Sequence, residues 1–149
     1  MRAVVQRVKS SKVEVEDKII GEIGKGINLL VGISKEDTKE DIDYIVRKVL
    51  GMRIFEDEDE RMNFSLQDVQ GELLLISQFT LYGDCRKGKR PDFMQAQGGE
   101  VAKELYNELI EAFRKEIPNL QTGEFGADMT VEIINDGPVT LLLESKKNF

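Results

Sequence analysis

Residues 24–33, Gly24-Lys25-Gly26-Ile27-Asn28-Leu29-Leu30-Val31-Gly32-Ile33, decide the class of fold. The Gly-Lys-Gly triplet reads as a tight turn feeding the apolar run Ile27 to Ile33. The run is short and has no flanking polarity, the pattern of a central strand covered on both faces. Downstream the period changes. Over residues 35–50 Ile42, Ile45, Val46, Val49 and Leu50 fall on one helical stripe. Glu36, Asp37, Glu40 and Asp41 come early, suiting the positive end of the helix dipole, and Gly51 is a stop signal. Residues 52–55 read as a strand before an acidic loop, and residues 72–82 (ELLLISQFTLY) as a second buried strand whose end carries polar groups.

Upstream, residues 2–8 and 12–16 alternate as two strands with a turn at Ser10 and Ser11, and Ile19 to Ile23 is a short strand. Residues 83–98 are turn-rich and basic. A second helix fits residues 99–116, with Val101, Leu105, Leu109, Ile110 and Phe113 facing the core and Pro118 beyond its end. Residues 129–135 and 138–144 read as two strands separated by Asn135-Asp136-Gly137-Pro138. With no repeat, linker or low-complexity tract, residues 1–149 are expected to be a single α/β domain of layered type, with mixed β-sheets and two main helices.

The chain has 149 residues, 40% apolar and 33% charged, enough for one real core. No apolar run approaches the ~18 residues of a membrane span. The opening MRAVVQRVKSSKVEVEDK lacks the apolar stretch of a signal peptide, so no membrane association and a cytoplasmic location are expected. Histidine is absent and Cys85 is the single cysteine. A Ser-His-Asp triad, a Cys-His pair, a histidine base, a His-containing zinc site and an intrachain disulfide are therefore all excluded within the chain. Catalysis, if present, must use hydroxyls, carboxylates, lysines, backbone amides or groups of the substrate.

Lys and Arg number 21 against 28 Asp and Glu, a net charge of −7 that disfavours non-specific nucleic-acid binding. Arg86, Lys87, Lys89 and Arg90 nevertheless concentrate four cations in five positions. Gly83 to Lys89 fits the first part of a phosphate loop, but Arg90 stands where Ser or Thr would hold magnesium, and Pro91 follows. A solvated loop is one reading of this segment; a phosphate or nucleic-acid contact is the functional one. The acids from Glu56 to Glu60 lack the spacing of a metal site, and no metal or cofactor is expected. Asn63-Phe64-Ser65 matches a glycosylation acceptor, but without a secretion signal the match is read as accidental, and Cys85 has no histidine partner. Two segments stand out. Ser77-Gln78-Phe79-Thr80-Leu81-Tyr82 presents polar groups where a buried strand emerges. Asn135-Asp136-Gly137-Pro138-Val139-Thr140 is either a hairpin turn or a functional loop.

Taken together, SQFTLY and NDGPVT resemble the D-aminoacyl-tRNA deacylase family. MRAVVQRV at the start, GDCRKGKRPDF at 83–93 and FGADM at 125–129 extend the resemblance along nearly the whole chain. The resemblance implies a layered α/β/β architecture and hydrolysis of D-aminoacyl-tRNA, with Ser77, Gln78, Phe79 and Thr80 in the catalytic segment. It implies a cis peptide between Gly137 and Pro138, and a homodimer in which this loop enters the partner's active site, braced by Arg7. Backbone carbonyls of such a loop would take the substrate's ammonium, so that an L side chain meets backbone while a D side chain points outward. Glycyl-tRNA would pass that filter. Arg86, Lys87, Lys89 and Arg90 would contact the tRNA. An aminoacyl ester is already activated, and its neighbouring 2′-hydroxyl, or a water, can do the proton work. Backbone amides near Phe79 and Thr80 would stabilise the oxyanion, leaving the Thr80 hydroxyl a positioning role. A nucleic-acid-binding module without catalysis and a purely structural oligomerisation domain are the competing readings.

Overall fold

The apolar run that begins at Gly26 forms β3 (Gly26–Gly32) and lies between antiparallel β1 (Arg2–Val15) and parallel β6 (Glu72–Ser77). This computed structural model describes residues 1–149. Gly26 is required by proximity: a Cβ there would stand 1.8 Å from the Glu72 carbonyl oxygen. The lack of alternation in both runs has a direct cause. Leu73 and Leu75 join the core under the helices, while Leu74 and Ile76 join a smaller cluster on the opposite face with Val8, Val13 and Ile23.

The strand order is β2-β1-β3-β6-β7, with β2 at Lys18–Ile23, β7 at Gln121–Thr122, and β8 (Thr130–Glu144) on the other side of β1. The long β1 pairs with β3 along its first half and with β2 along its second. That second half curls over, bringing Gly21 close enough to β7 that a Cβ would lie 2.9 Å from the Thr122 carbonyl oxygen. The result is a mixed sheet curled towards closure, with two helices packed on one face. A separate hairpin joins β4 (Phe55–Glu56) to β5 (Met62–Phe64).

Several expectations need correction. There is no turn at Ser10 and Ser11. Ser11 is buried, and its hydroxyl donates either to Asn28 Oδ1 (2.7 Å) or to the Glu132 carbonyl (2.9 Å), so the strand continues. The chain turns instead at Glu16 and Asp17, both with positive φ (51° and 63°), a two-residue hairpin connection. Residues 52–55 contribute only Phe55 to a strand. Helix α1 runs from Lys39 to Gly51, starting later than the period suggested. Asp37 first closes a turn by accepting the Ser34 amide (2.8 Å), and its other oxygen binds the Met1 amino group (2.6 Å). Thr38 then caps the helix, its amide donating to Asp41 (2.8 Å). Helix α2 spans Gly99–Glu116 as expected, but Val101 faces solvent; Ala102, Tyr106, Leu109 and Phe113 form the buried stripe.

Two further departures shape the functional surface. The run 72–82 is not one strand: β6 stops at Ser77, and Phe79–Tyr82 wind into a 3-10 turn. Nor do residues 129–144 form two strands. They form the single strand β8, antiparallel to β1, with residues 136–139 bulging out opposite Arg7 between the pairs Val8–Asn135 and Gln6–Thr140. No helix is long and apolar enough to cross a membrane.

Candidate active site

Where β6 ends, the parallel neighbour β3 still runs on, and Ser77 faces Val31 across the ladder. The Gln78 amide donates to the Val31 carbonyl (2.8 Å) before the backbone breaks away at φ −146° and ψ 81°. The 3-10 turn follows. Its third amide, from Leu81, bonds back to the Gln78 carbonyl (3.2 Å). The amides of Phe79 and Thr80 come too early to have an acceptor within the turn and are its available donors.

Beside this turn opens a cavity of about 580 Å³. Val31 and Ile76 of the sheet, Ile33 just past the end of β3, Ala102 of α2, and Phe125, Met129 and Val131 supply its apolar lining. Ser77, Gln78, Phe79 and Gln97 supply its polar backbone and side chains, and Gly98 and Gly99 keep one side open to backbone. Phe79 is more than half exposed and packs edge-on against Phe93, ring centroids 5.2 Å apart. Tyr106 supports the floor from α2, its hydroxyl donating to the Leu75 carbonyl (3.1 Å), and burial pushes that phenol well above its ordinary range. No Asp, Glu, Lys, Arg or Cys lines the cavity. An acid-base side chain is therefore not part of its wall, and the polar groups it offers are amides, carbonyls and hydroxyls.

The four residues expected in the catalytic segment are contiguous here. Ser77, Gln78 and Phe79 line the cavity, and Thr80 sits beside it, exposed on the turn. Gln78 Nε2 donates to the Thr80 hydroxyl, while the Thr80 carbonyl accepts from Gly83 (2.9 Å). The hydroxyl is thus oriented by a neutral amide.

Arg7, Gly137 and Pro138 form a second group. The Gly137-Pro138 peptide is cis, and Gly137 has φ +117°, a conformation that favours glycine. The buried Arg7 guanidinium donates to the Ile54 carbonyl (2.7 Å) and pairs with Asp136 (3.2 Å) and Glu56 (3.6 Å). Asn135 ties the bulge at both ends, its amide reaching the carbonyls of Arg7 (2.9 Å) and Val139 (3.1 Å). This group does not line its own chain's cavity. Ser77 lies level with Val31 and Ala3, whereas Arg7 lies level with Ile27, four residues along the ladder. At ~3.3 Å per residue the offset is about 13 Å.

Arg86, Lys87, Lys89 and Arg90 all stand exposed in the loop closed by the Asp84–Asp92 bridge, and Phe93 carries the chain from that loop into the cavity. They are not equivalent. Arg86 makes a fork to Asp84 (2.9 and 2.7 Å), which holds the Asp84 carboxyl down at about 2 and raises the Arg86 value. Lys87, Lys89 and Arg90 have no ion pair. Sequence reasoning missed Gln97, Phe125 and Met129 as lining residues. The signal available was an apolar pair, Phe125 and Met129, set in the turn-prone segment FGADM.

Comparison with known proteins finds relatives that match along nearly the whole chain. A family model described as D-Tyr-tRNA(Tyr) deacylase matches residues 4–144. A D-aminoacyl-tRNA deacylase of Clostridium botulinum (strain Loch Maree / Type A3) is 65% identical over all 149 residues of both chains. Another, from strain Alaska E43 / Type E3, is 66% identical over the same length. Among solved structures, one titled c-Myc DNA Unwinding Element Binding Protein superposes with a TM-score of 0.91 at 46% identity, covering 97% of this chain and 98% of that one. A probable eukaryotic D-amino acid tRNA deacylase superposes with a TM-score of 0.82 at 18% identity, covering 95% and 97%.

Proposed function

The chain belongs to the D-aminoacyl-tRNA deacylase family, and from that premise we propose that it hydrolyses the ester of D-aminoacyl-tRNA, and of mischarged glycyl-tRNA, while rejecting L-aminoacyl-tRNA. The observation that carries the reading is a nucleotide-sized cavity without a titratable side chain, set against a turn whose first amides are free. Such a site suits a substrate that brings its own activation. The ester carbonyl sits against the Phe79 and Thr80 amides, which take the developing oxyanion; one donor of this kind contributes roughly 2.7–4 kcal/mol to the transition state. The substrate's 2′-hydroxyl, or a water, carries the proton. Gln78 and Thr80 position rather than attack, because no base stands beside the Thr80 hydroxyl.

Selection between mirror images is assigned to Gly137 and Pro138 of a second copy. Three features support this. The bulge protrudes from β8, both residues are exposed, and their own cavity is out of reach along the sheet. Arg7 and Asn135 hold the bulge from beneath, as a rigid reader of the substrate's Cα requires. The outer edge of β8 is unpaired, with Ile134, Leu141 and Leu142 exposed along it, a surface suited to a homodimer. Lys87, Lys89 and Arg90, with a smaller part for Arg86, take phosphates of the tRNA.

The deciding experiment is deacylation of matched D-, L- and glycyl-tRNA by the purified protein. Rapid release from the D and glycyl substrates with slow release from the L substrate is expected. Tight, salt-sensitive tRNA binding without turnover would replace this reading by a nucleic-acid-binding one, which the basic loop also favours.

A further inference from the structure

A second cavity, of about 370 Å³, lies on the other side of the ridge that bounds the first. The ridge is the Ser34–Ala96 bridge, held by Lys35 N–H to the Gln95 carbonyl (3.1 Å) and Gln97 N–H to the Ile33 carbonyl (2.8 Å). Ile33, Ala96 and Gln97 face the first cavity; Ser34, Lys35 and Gln95 face the second. The 3-10 turn is shared in the same way, with Phe79 on one side and Tyr82 on the other.

The two cavities differ in chemistry. The second is mainly polar and holds three cations, Arg2, Lys35 and Lys146, with two carboxylates, Glu36 and Glu144, of which Glu144 pairs with Arg2 (3.6 Å). Arg2 is fixed: it donates to the Leu81 carbonyl (3.0 Å), and its guanidinium lies 4.6 Å from the centre of the Tyr82 ring. Lys146 is tied to Asp41 (3.1 Å), but Lys35 has no ion pair. Tyr82 is only 5% exposed, and its hydroxyl has no hydrogen-bond partner. Met94, largely exposed, gives the rim an apolar face.

We propose that this second cavity binds the nucleotide immediately preceding the aminoacylated adenosine at the 3′ end of the tRNA, a cytidine, with its phosphodiester on Lys35 and its base against Met94, Gln95 and Glu36. The inference rests on the deacylase reading for the identity of the RNA. One unpaired cation matches one phosphodiester charge. Carboxylate and amide oxygens accept from the cytosine amino group, and the Gln95 amide donates to its ring acceptors. Adjacent cavities across one ridge suit adjacent nucleotides of a single strand, splayed so that each base has its own site. The aminoacyl end is thereby anchored by a part of the substrate remote from the bond that breaks.

The test is equilibrium binding of the dinucleotide cytidylyl-(3′→5′)-adenosine against adenosine, in the wild type and in Lys35→Ala and Gln95→Ala. The dinucleotide is expected to bind at least about tenfold tighter, with a log–log salt slope larger by about 0.7 for its one added phosphate. Both variants are expected to lose most of that advantage and to bind adenosine as the wild type does. Equal affinity for the two ligands, or a dinucleotide advantage untouched by both substitutions, overturns the proposal. Hydrolysis of D-aminoacyl-adenosine and its cytidylyl-extended form separates the two readings. Hydrolysis of both with equal kcat/KM removes the second site and keeps the deacylase. A dinucleotide preference without hydrolysis of either keeps the site and removes the deacylase.

Discussion

The Thr80 hydroxyl is held by the neutral Gln78 amide, and no carboxylate, lysine or histidine lines the cavity beside it. Thr80→Ala is therefore expected to keep D-aminoacyl-tRNA hydrolysis within about tenfold of wild type in single-turnover kinetics. Removing a covalent nucleophile costs on the order of 10⁶, so a loss of that size, or a trapped acyl-Thr80, would assign the threonine a direct attack. Gly137 is the opposite case, where a single methyl group is expected to matter. Its φ of +117° is hostile to L side chains, and an added Cβ would sit 2.9 Å from Val139 Cγ2 and 3.0 Å from Arg7 Nη2. Gly137→Ala should displace the bulge and lower D-aminoacyl-tRNA hydrolysis at least tenfold, while circular dichroism still reports a folded sheet. Undiminished activity in that variant would separate the bulge from substrate selection.

Helix α1 is anchored through one carboxylate. Asp41 is buried, which by itself raises its pKa, yet the hydroxyl of Ser145, the Thr38 amide and Lys146 together bring it down to about 2. Because the folded value lies below the ordinary value of ~3.9, the stabilisation is complete above about pH 4 and is lost as pH falls towards 2. Asp41→Asn should lower stability by about 1–2 kcal/mol at neutral pH and flatten the acid limb of a pH-dependent denaturation series; an unchanged acid limb would place the acid sensitivity elsewhere. In the basic loop, replacing Lys87, Lys89 and Arg90 by Gln should reduce the log–log salt slope of tRNA binding by up to about 0.7 each. Arg86→Gln should change it less, because Asp84 already occupies that guanidinium; equal effects at all four positions would count against the pairing. The elements themselves were legible wherever one burial pattern dominated: β3 follows from its unbroken apolar run, and most of α1 and the span of α2 follow from periodicity. Reading failed where a polar residue had a distant partner. Ser11 resembles a turn residue until Asn28 and Glu132 are seen to receive it. Asn135 to Pro138 has the composition of a hairpin turn, but β1 continues on both sides and pulls the flanking segments into one strand. In the site, Ser77 to Thr80 were legible as polar groups at a strand end. The lining by Phe125 and Met129 depends on how the connection from β7 to β8 passes beside the sheet, a placement that their apolar pairing hints at and does not fix.

Across the whole molecule, the unpaired edge of β8 joins packing to function. A charge placed among Ile134, Leu141 and Leu142 should be tolerated by a monomer, because these side chains face outward. Leu142→Arg is accordingly expected to halve the mass seen by sedimentation or light scattering and to abolish D-aminoacyl-tRNA hydrolysis together with it. A monomeric wild type, or an active monomeric variant, would show that each cavity works alone. The bulge on that strand also has a consequence for how such a molecule can be altered. Four residues of β8 stand against Arg7 alone, so excising three, Asp136 to Pro138, leaves Val139 facing Arg7 in an ordinary ladder. Strand and register survive that deletion; what goes is the protrusion and, with it, the Asp136 carboxylate that pairs with Arg7. The bulge is thus an insertion in an otherwise continuous strand, a cassette of three residues that a gene can lose, lengthen or exchange in one event without having to rebuild the sheet around it.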